Sequence, residues 1–334
     1  MEQGERRVQV RRDHTRLAKV AVCGAGQWGR NLVRTFEELG ALGGVVDPSS
    51  VIREQVREFY PAVPVYESYE PVLTDPSIRG VVIATPVATH FELARTCLLA
   101  GKDVYVEKPI TLTVAEAVEL NRLAQEREAV LMVGHLLLYQ PAVQWIKRFV
   151  DSGGLGELCG LHQQRCKLGR VRRVEDVLWS FGVHDLAVLL HLVGEAPERV
   201  EVAAQTVLQP GIADDVHLHL GFGHGVQAHL HVSWLWPEQE RRLVVVGTRG
   251  MLAYDEQTQT VTLHKKSVRD DLSIRDEGAS VVFRGEEAPL RLECQHFLDC
   301  LRDRSKPLSD GTSAVEVIKV LERAQQRMKE GVSG

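Results

Sequence analysis

The segment Lys19-Val-Ala-Val-Cys-Gly-Ala-Gly-Gln-Trp-Gly29 constrains the fold of this chain more than any other. An apolar run ends at Gly24, the spacing Gly24-x-Gly26-x-x-Gly29 follows at once, and Arg30 to Leu39 then reads as a helix. A strand that passes through three spaced glycines into a helix makes a phosphate cradle. The first glycine permits the tight turn, the second lets a pyrophosphate approach the backbone, and the third lets helix and strand pack closely. The helix N-terminus adds N–H groups and the positive end of a dipole. Glycine-rich turns are common, so the spacing takes its weight from context. A second apolar run, Leu42 to Val46, ends in Asp47, 18 residues after Gly29. An acidic group there can accept both ribose hydroxyls of an adenosine and repel a 2′-phosphate. The competing reading makes Asp47 a cap for the helix that follows Pro48-Ser49-Ser50.

Beyond this unit, strand signals recur near Val20–Cys23, Gly44–Val46, Val63–Val65, Gly80–Ala84, Asp103–Val106 and Ala129–Val133. Helical segments Val51–Tyr60, His90–Ala100 and Thr113–Arg127 lie between them. Alternation at this spacing predicts right-handed βαβ units and a doubly wound parallel sheet, a dinucleotide-binding Rossmann domain over residues 17–136. A charged tail, residues 1–16, precedes it. After Tyr139 the pattern changes. A helix, Gln140–Val150, an extended run, Leu158–Leu168, and a helix, Val183–Leu192, lead into alternating segments from Val200 to Leu263. These include Val216-His-Leu-His-Leu220 and Val226-Gln-Ala-His-Leu-His-Val232, which read as an antiparallel sheet with one polar face. Two helices, Leu290–Arg302 and Ser313–Lys329, close the chain, so residues 137–330 are expected to form a second, substrate-binding and oligomerisation domain.

A length of 334 residues allows two cores, and 44% hydrophobic with 25% charged residues is ordinary for globular domains. The formal net charge of −5 argues against nucleic acid as a partner. Six cysteines without Cys-x-x-Cys spacing read as small buried hydrophobes in a reducing cytoplasm. Met1–Arg16 lacks the apolar centre of a secretory signal, and no apolar run is long enough for a bilayer. A soluble cytoplasmic protein with no membrane partner is the expectation.

Ligands of doubly wound sheets bind beyond the carboxyl ends of the strands. Three strand-end loops stand out there: Ala84-Thr85-Pro86 with His90 opening the next helix, Glu107-Lys108-Pro109, and Gly134-His135. The expected cofactor contacts are Gly24, Gly26, Gln27, Trp28, Gly29, Asp47, Thr85, Pro86, His90, Glu107 and Lys108. Taken alone, Lys108 reads more readily as a surface lysine before a turn. Farther on, Trp179-Ser-Phe-Gly182-Val-His184-Asp185 begins a helix. A histidine in that first turn is either a packed structural group or a neutral imidazole able to take a proton from an alcohol.

Gly24-x-Gly26-x-x-Gly29, Glu107-Lys108-Pro109 and Gly182-Val183-His184, in this order and at these separations, resemble the Gfo/Idh/MocA oxidoreductases. The resemblance runs from Ala18 to about Met328 and includes Lys306-Pro-Leu-Ser-Asp310-Gly311 before the last helix. It implies a Rossmann domain followed by an α/β domain with an open, mostly antiparallel sheet whose face joins copies into a homodimer or homotetramer. It further implies that Lys108 reaches the substrate hydroxyl and the nicotinamide, and that His184 serves as acid/base. One position departs: many members carry an aspartate four residues before this histidine, where this chain has Ser180. A serine cannot stabilise an imidazolium by charge.

Lys167-Leu-Gly-Arg170-Val-Arg172-Arg173 packs four cations into seven residues. It reads either as a solvated loop or as a site for an anionic substrate, since arginine binds such oxygens bidentately. The run from Leu168 to Asp185 is similar to the branch that oxidises UDP-N-acetylhexosamines or their uronates at C3. Lys108, Tyr139, Lys167, Arg170, Arg172, Ser180 and His184 are therefore the expected substrate contacts, with Lys108 and His184 catalytic. NAD is the expected cofactor, and Arg53 near Asp47 leaves NADP as the lesser alternative. A free cyclitol or simple sugar is the alternative substrate, and a non-catalytic NAD- and sugar-binding regulator the alternative class. The histidines His217, His219, His224, His229 and His231 read as an interface or half-exposed sheet face. No metal is expected, because no carboxylate or cysteine companion is apparent.

Overall fold

The computed structural model describes residues 18–169, 171–269 and 271–331. Its first sheet is built from β1 (Lys19–Cys23), β2 (Leu42–Val46), β3 (Val65–Tyr66), β4 (Ile78–Ile83), β5 (Asp103–Glu107) and β6 (Leu131–Gly134). All pairings are parallel, in the order β3-β2-β1-β4-β5-β6. The order reverses between β1 and β2 on one side and β4 on the other, which places the topological switch point at the end of β1. Val20, Ala21, Val22, Val81, Val82 and Val104 are all buried, as expected of strands covered on both faces.

The crossovers are α1 (Gly29–Glu38), α2 (Ser50–Phe59), α3 (Glu70–Thr74), α4 (His90–Leu99) and α5 (Val114–Glu126). Side chains fix several starts: Ser49 accepts the Ile52 N–H at the head of α2, and Thr113 accepts the Glu116 N–H at the head of α5. The cap of α2 is thus Ser49 and not Asp47.

The second sheet has the order β14-β13-β12-β11-β7-β10-β9-β8. Its strands are β7 (Leu158–Cys166), β8 (Arg199–Gln205), β9 (Asp215–Gly221), β10 (Gln227–Ser233), β11 (Glu240–Gly247), β12 (Gly250–Asp255), β13 (Thr260–Val268) and β14 (Ile274–Arg284). Only the β7–β10 pair is parallel among the described residues. Leu161, Val216, Leu218, Leu220, Ala228, Leu230 and Val232 point into the core, towards α6 (Pro141–Asp151) and α7 (Val183–Val193). The alternate positions form the polar face. The expected fold class, a doubly wound parallel sheet followed by a mostly antiparallel one, is the fold observed.

The closing helices α8 (Pro289–Asp303) and α9 (Gly311–Gly331) return to the first sheet. The Phe297 ring lies 5.7 Å from that of Tyr105 on β5, and the Val133 N–H bonds the Ser309 carbonyl at 2.8 Å. All six cysteines are free, and five are buried. Among the described residues, no helix is long and apolar enough to cross a membrane.

Two glycines make the β1–α1 junction possible. Gly24 has φ +88°, and a Cβ on Gly29 would lie 1.9 Å from the Gly24 carbonyl oxygen. Gly29→Ala therefore has to push α1 away from β1 and is expected to cost about 1–3 kcal/mol. Chemical denaturation checks this; unchanged stability would mean that the helix shifts freely at this contact.

Candidate active site

The β1–α1 turn leaves space where a phosphate cradle needs it. A Cβ on Gly26 would meet nothing within 4 Å, whereas one on Gly24 would lie 2.8 Å from the Ala84 carbonyl oxygen. Asp47, at the end of β2, stands beside this turn with one carboxylate oxygen on the Ala25 N–H and the other on the Ser49 N–H, both at 2.9 Å. Each oxygen keeps a lone pair for a further donor. An open cradle at a helix N-terminus beside an acidic strand end fits a dinucleotide. Arg53 donates to the carbonyls of Asp47 and Pro48 at 3.0 and 2.8 Å and pairs with Glu67 at 3.2 Å.

The neighbouring strand ends serve partly as braces. Trp28 donates its indole N–H to Glu107 at 2.6 Å, and the same carboxylate accepts from the Tyr105 hydroxyl at 3.2 Å. Burial pushes the Glu107 carboxyl up, with the Trp28 bond and Lys108 opposing. Glu107 and the Trp28 N–H are thus directed at each other and tie the glycine turn to β5. His90 has its ring nitrogens 2.9 Å from the carbonyls of Pro109 and Thr85, so it links two strand-end loops and has no nitrogen left for a cofactor. Burial lowers its pKa, and the two carbonyls pull partly the other way. The Thr89 hydroxyl closes the Thr85-Pro86 loop, 2.7 Å from the Thr85 hydroxyl and 2.8 Å from the Pro86 carbonyl. Gln27 lies on the exposed rim of the glycine turn.

Lys108 leaves the end of β5 and donates from Nζ to the Ser180 carbonyl at 2.9 Å. Ser180 sits in a π-helical turn, Leu178–Gly182, that runs directly into α7. Such wide turns displace backbone groups from the regular α-helical pattern, and here the carbonyl of Ser180 meets the lysine. Burial lowers the Lys108 ammonium to about 8, with Glu107 opposing. His184, in the first turn of α7, and His135, after β6, both feel the lysine charge. Burial, followed by Lys108, holds His184 well below the usual histidine range and takes His135 down to about 3. Each has a buried Nδ1 with no hydrogen-bond partner. One lysine and two neutral imidazoles therefore converge at the strand ends, a set that can hold and pass a proton.

Beneath them lies a buried charge network that sequence reasoning missed. The Arg165 Nε donates to both oxygens of Asp185 at 3.0 and 2.8 Å, and Gln163 donates to one of them at 2.8 Å. The Arg165 guanidinium also bonds Glu256 at 2.6 Å, and Arg241 meets Glu256 at 2.9 Å. Asp185 is wholly buried. Burial works to raise Glu256, and the two arginines overcome it and leave the carboxyl below its ordinary value. The legible signal was the pair Gln163 and Arg165, two polar residues on the core-facing side of β7.

The other expected substrate contacts divide. Tyr139 is a correction: it is buried, its hydroxyl lies 2.9 Å from that of Ser309 and its ring packs on His296, so its contacts are those of a core residue. Lys167 places its ammonium 5.7 Å from the centre of the Phe181 ring. Arg172 pairs with Glu175 at 3.4 Å, and both act on the charge of Lys108. Arg170 lies outside the described residues.

Two family models match the chain: an oxidoreductase family with an NAD-binding Rossmann fold over residues 18–135, and the GFO/IDH/MocA C-terminal domain over residues 143–253. The chain belongs to the Gfo/Idh/MocA family and is an NAD-binding oxidoreductase. Among its relatives, UDP-N-acetylglucosamine 3-dehydrogenase of Acidithiobacillus ferrooxidans is 26% identical over 90% of this chain and 94% of its own length. The solved structure of that enzyme superposes with a TM-score of 0.82, at 25% identity, over 92% of this chain and 97% of that one. The scyllo-inositol 2-dehydrogenase (NAD(+)) of Bacillus subtilis is 28% identical over 90% of this chain and 91% of its own length.

Arg165→Met would leave the Asp185 carboxylate buried without its guanidinium and is expected to destabilise the fold by about 3–5 kcal/mol. The double variant Arg165→Met/Asp185→Leu should recover part of that loss. Equal stability of the single variant and the parent in urea would mean that the network carries little.

Proposed function

We propose that this chain oxidises a secondary hydroxyl of a sugar, with NAD as electron acceptor and Lys108 and His184 handling the hydroxyl proton. The observation that supports it is the convergence of a lysine lowered to about 8 with the neutral imidazole of His184 beside a dinucleotide cradle. Gly24, Gly26 and Gly29 would face the pyrophosphate, and Asp47 the adenosine ribose. The nicotinamide, when bound, supplies the hydride acceptor. Lys108 in its neutral form accepts the hydroxyl proton, or His184 accepts it while Lys108 holds the oxygen. Either proton receiver gains from being fixed before substrate arrives. In the reverse direction the same groups donate the proton to a ketone.

The preference for NAD over NADP rests on two features. Asp47 presents a carboxylate where a 2′-phosphate would sit, and Arg53 spends its guanidinium on Asp47, Pro48 and Glu67. For the substrate we favour a UDP-linked N-acetyl sugar or its uronate. The likeness to the UDP-N-acetylglucosamine 3-dehydrogenase extends over nine-tenths of the chain, and the stretch holding Lys167 and Arg172 offers cations to an anion. The Arg172–Glu175 pair is partly exposed, and such pairs are worth at most about 1 kcal/mol, so a diphosphate can displace the carboxylate. The inositol dehydrogenase relative supports a free cyclitol as the second reading. The polar face of the second sheet is the surface through which copies would associate into a dimer or tetramer.

Nicotinamide reduction followed spectroscopically, with UDP-N-acetylglucosamine, its uronate and myo-inositol offered in turn, tests the substrate. Signal with the UDP-sugars alone supports the favoured reading, and signal with the free polyol replaces it. Lys108→Met should lower kcat about 10²–10⁴-fold. In the oxidative direction the base form is the active one, so kcat/KM should rise with pH and level off above about 8. Persistence of that rise in Lys108→Met would remove Lys108 as the titrating group.

A further inference from the structure

The polar face of the second sheet gathers His162, His217, His219, His229 and His231 on three adjacent strands. The carboxylate and cysteine companions that the sequence did not reveal are supplied by strand pairing. In the antiparallel β9–β10 register His217 stands opposite His231 and Asp215 opposite Ser233. In the parallel β7–β10 register Ser233 also stands opposite Cys166. The result is a compact group at one end of these strands. His231 Nε2 lies 3.1 Å from one Asp215 oxygen, and His217 Nε2 lies 3.7 Å from the other.

Cys166 Sγ lies 3.7 Å from the His231 carbonyl and 3.5 Å from His231 Nδ1, and His231 Nε2 lies 3.1 Å from the Asp215 carboxylate. Without a metal, a neutral ring donates its Nε2–H to Asp215. A metal on Nε2 would replace that proton and leave the ring proton on Nδ1, facing the Cys166 sulfur.

We propose that Asp215, His217 and His231 form a site for a divalent transition metal of the zinc class. One ligand atom from each lies within 4.8 Å of the others. Donors bound tetrahedrally at zinc distances stand about 3.3 Å apart, close to both separations seen here. With the metal bound, the Nδ1–H of His231, directed at Cys166, is the outer hydrogen bond that ligating histidines ordinarily make. Trp236 covers the His231 ring edge-on at 5.1 Å and shields one side of the site. His217 closes the other side. Its ring now stacks on His231 at 3.9 Å and has to turn to aim its nitrogen inward, which its half-exposed side chain permits. These residues offer three donors, so the fourth position is left to a ligand that the described residues do not supply. The neighbouring pair His219 and His229, with Nδ1 atoms 2.6 Å apart, has no carboxylate among its described hydrogen-bond partners.

The test uses the untagged full-length chain, stripped with a chelator and titrated with Zn²⁺ by calorimetry and with Co²⁺ by visible absorption. One ion per chain is expected, with cobalt d–d bands of a low-coordinate site. Asp215→Asn and His217→Ala should each weaken binding at least about 10-fold, and His219→Gln should leave it unchanged. Both weakening variants alter exposed or isosteric positions, and a thermal melt without metal verifies that they fold. Absence of binding, equal binding by parent and variants, or a loss confined to His219→Gln would overturn the proposal. So would half an ion per chain accompanied by dimer formation in sedimentation, which would place the ion between two copies.

Discussion

The candidate active site depends on the buried ion pair between Arg165 and Asp185. Asp185 directly follows His184, so the bonds that lock its carboxylate to β7 also fix where the first turn of α7 begins. Without that anchor, the imidazole of His184 and the carbonyl of Ser180 would have no fixed position relative to Lys108. The lysine itself comes from the other sheet. One hydrogen bond, Lys108 to Ser180, thus joins a strand end positioned by parallel pairing to a helix start positioned by a buried charge pair.

Electrostatics and geometry act together at this junction. Burial disfavours the charged forms of Lys108, His135 and His184, and each neighbouring cation adds to the effect on the imidazoles. The arginines beneath are spent on Asp185 and Glu256, so their charge is largely balanced locally. What remains above them at neutral pH is a pair of neutral imidazoles beside a lysine that releases its proton near pH 8.

The first sheet was legible because its strands are short apolar runs punctuated by glycine and helical periodicity, and five of its six strands lie where those runs do. The sixth, β3, is two residues long and falls at the end of the expected run. In the second sheet β14 was missed: almost all of Ile274–Arg284 is exposed, so burial imposes no alternation on it and only its pairing with β13 makes it a strand. At the site, Lys108 and His184 announced themselves by motif. Arg165, Asp185, Glu256 and Arg241 did not, because a buried charge shows its meaning only when a partner distant in sequence is brought to it. Tyr139 misled for the matching reason: its nearness to a strand end along the chain says nothing about which way its ring turns.

Asp47 couples two properties that could otherwise have varied separately. Its carboxylate ends β2, where the proposed cofactor's ribose would lie, and holds the Ala25 N–H of the glycine turn. Any change of that residue to admit a phosphorylated ribose would also loosen that turn. On the proposed cofactor assignment, a lineage moving towards NADP would have to keep this carboxylate's backbone bonds while releasing Arg53 from the carbonyls and Glu67 that now occupy it. On that assignment, cofactor preference would be a property of a small hydrogen-bonded circuit and would resist change one residue at a time.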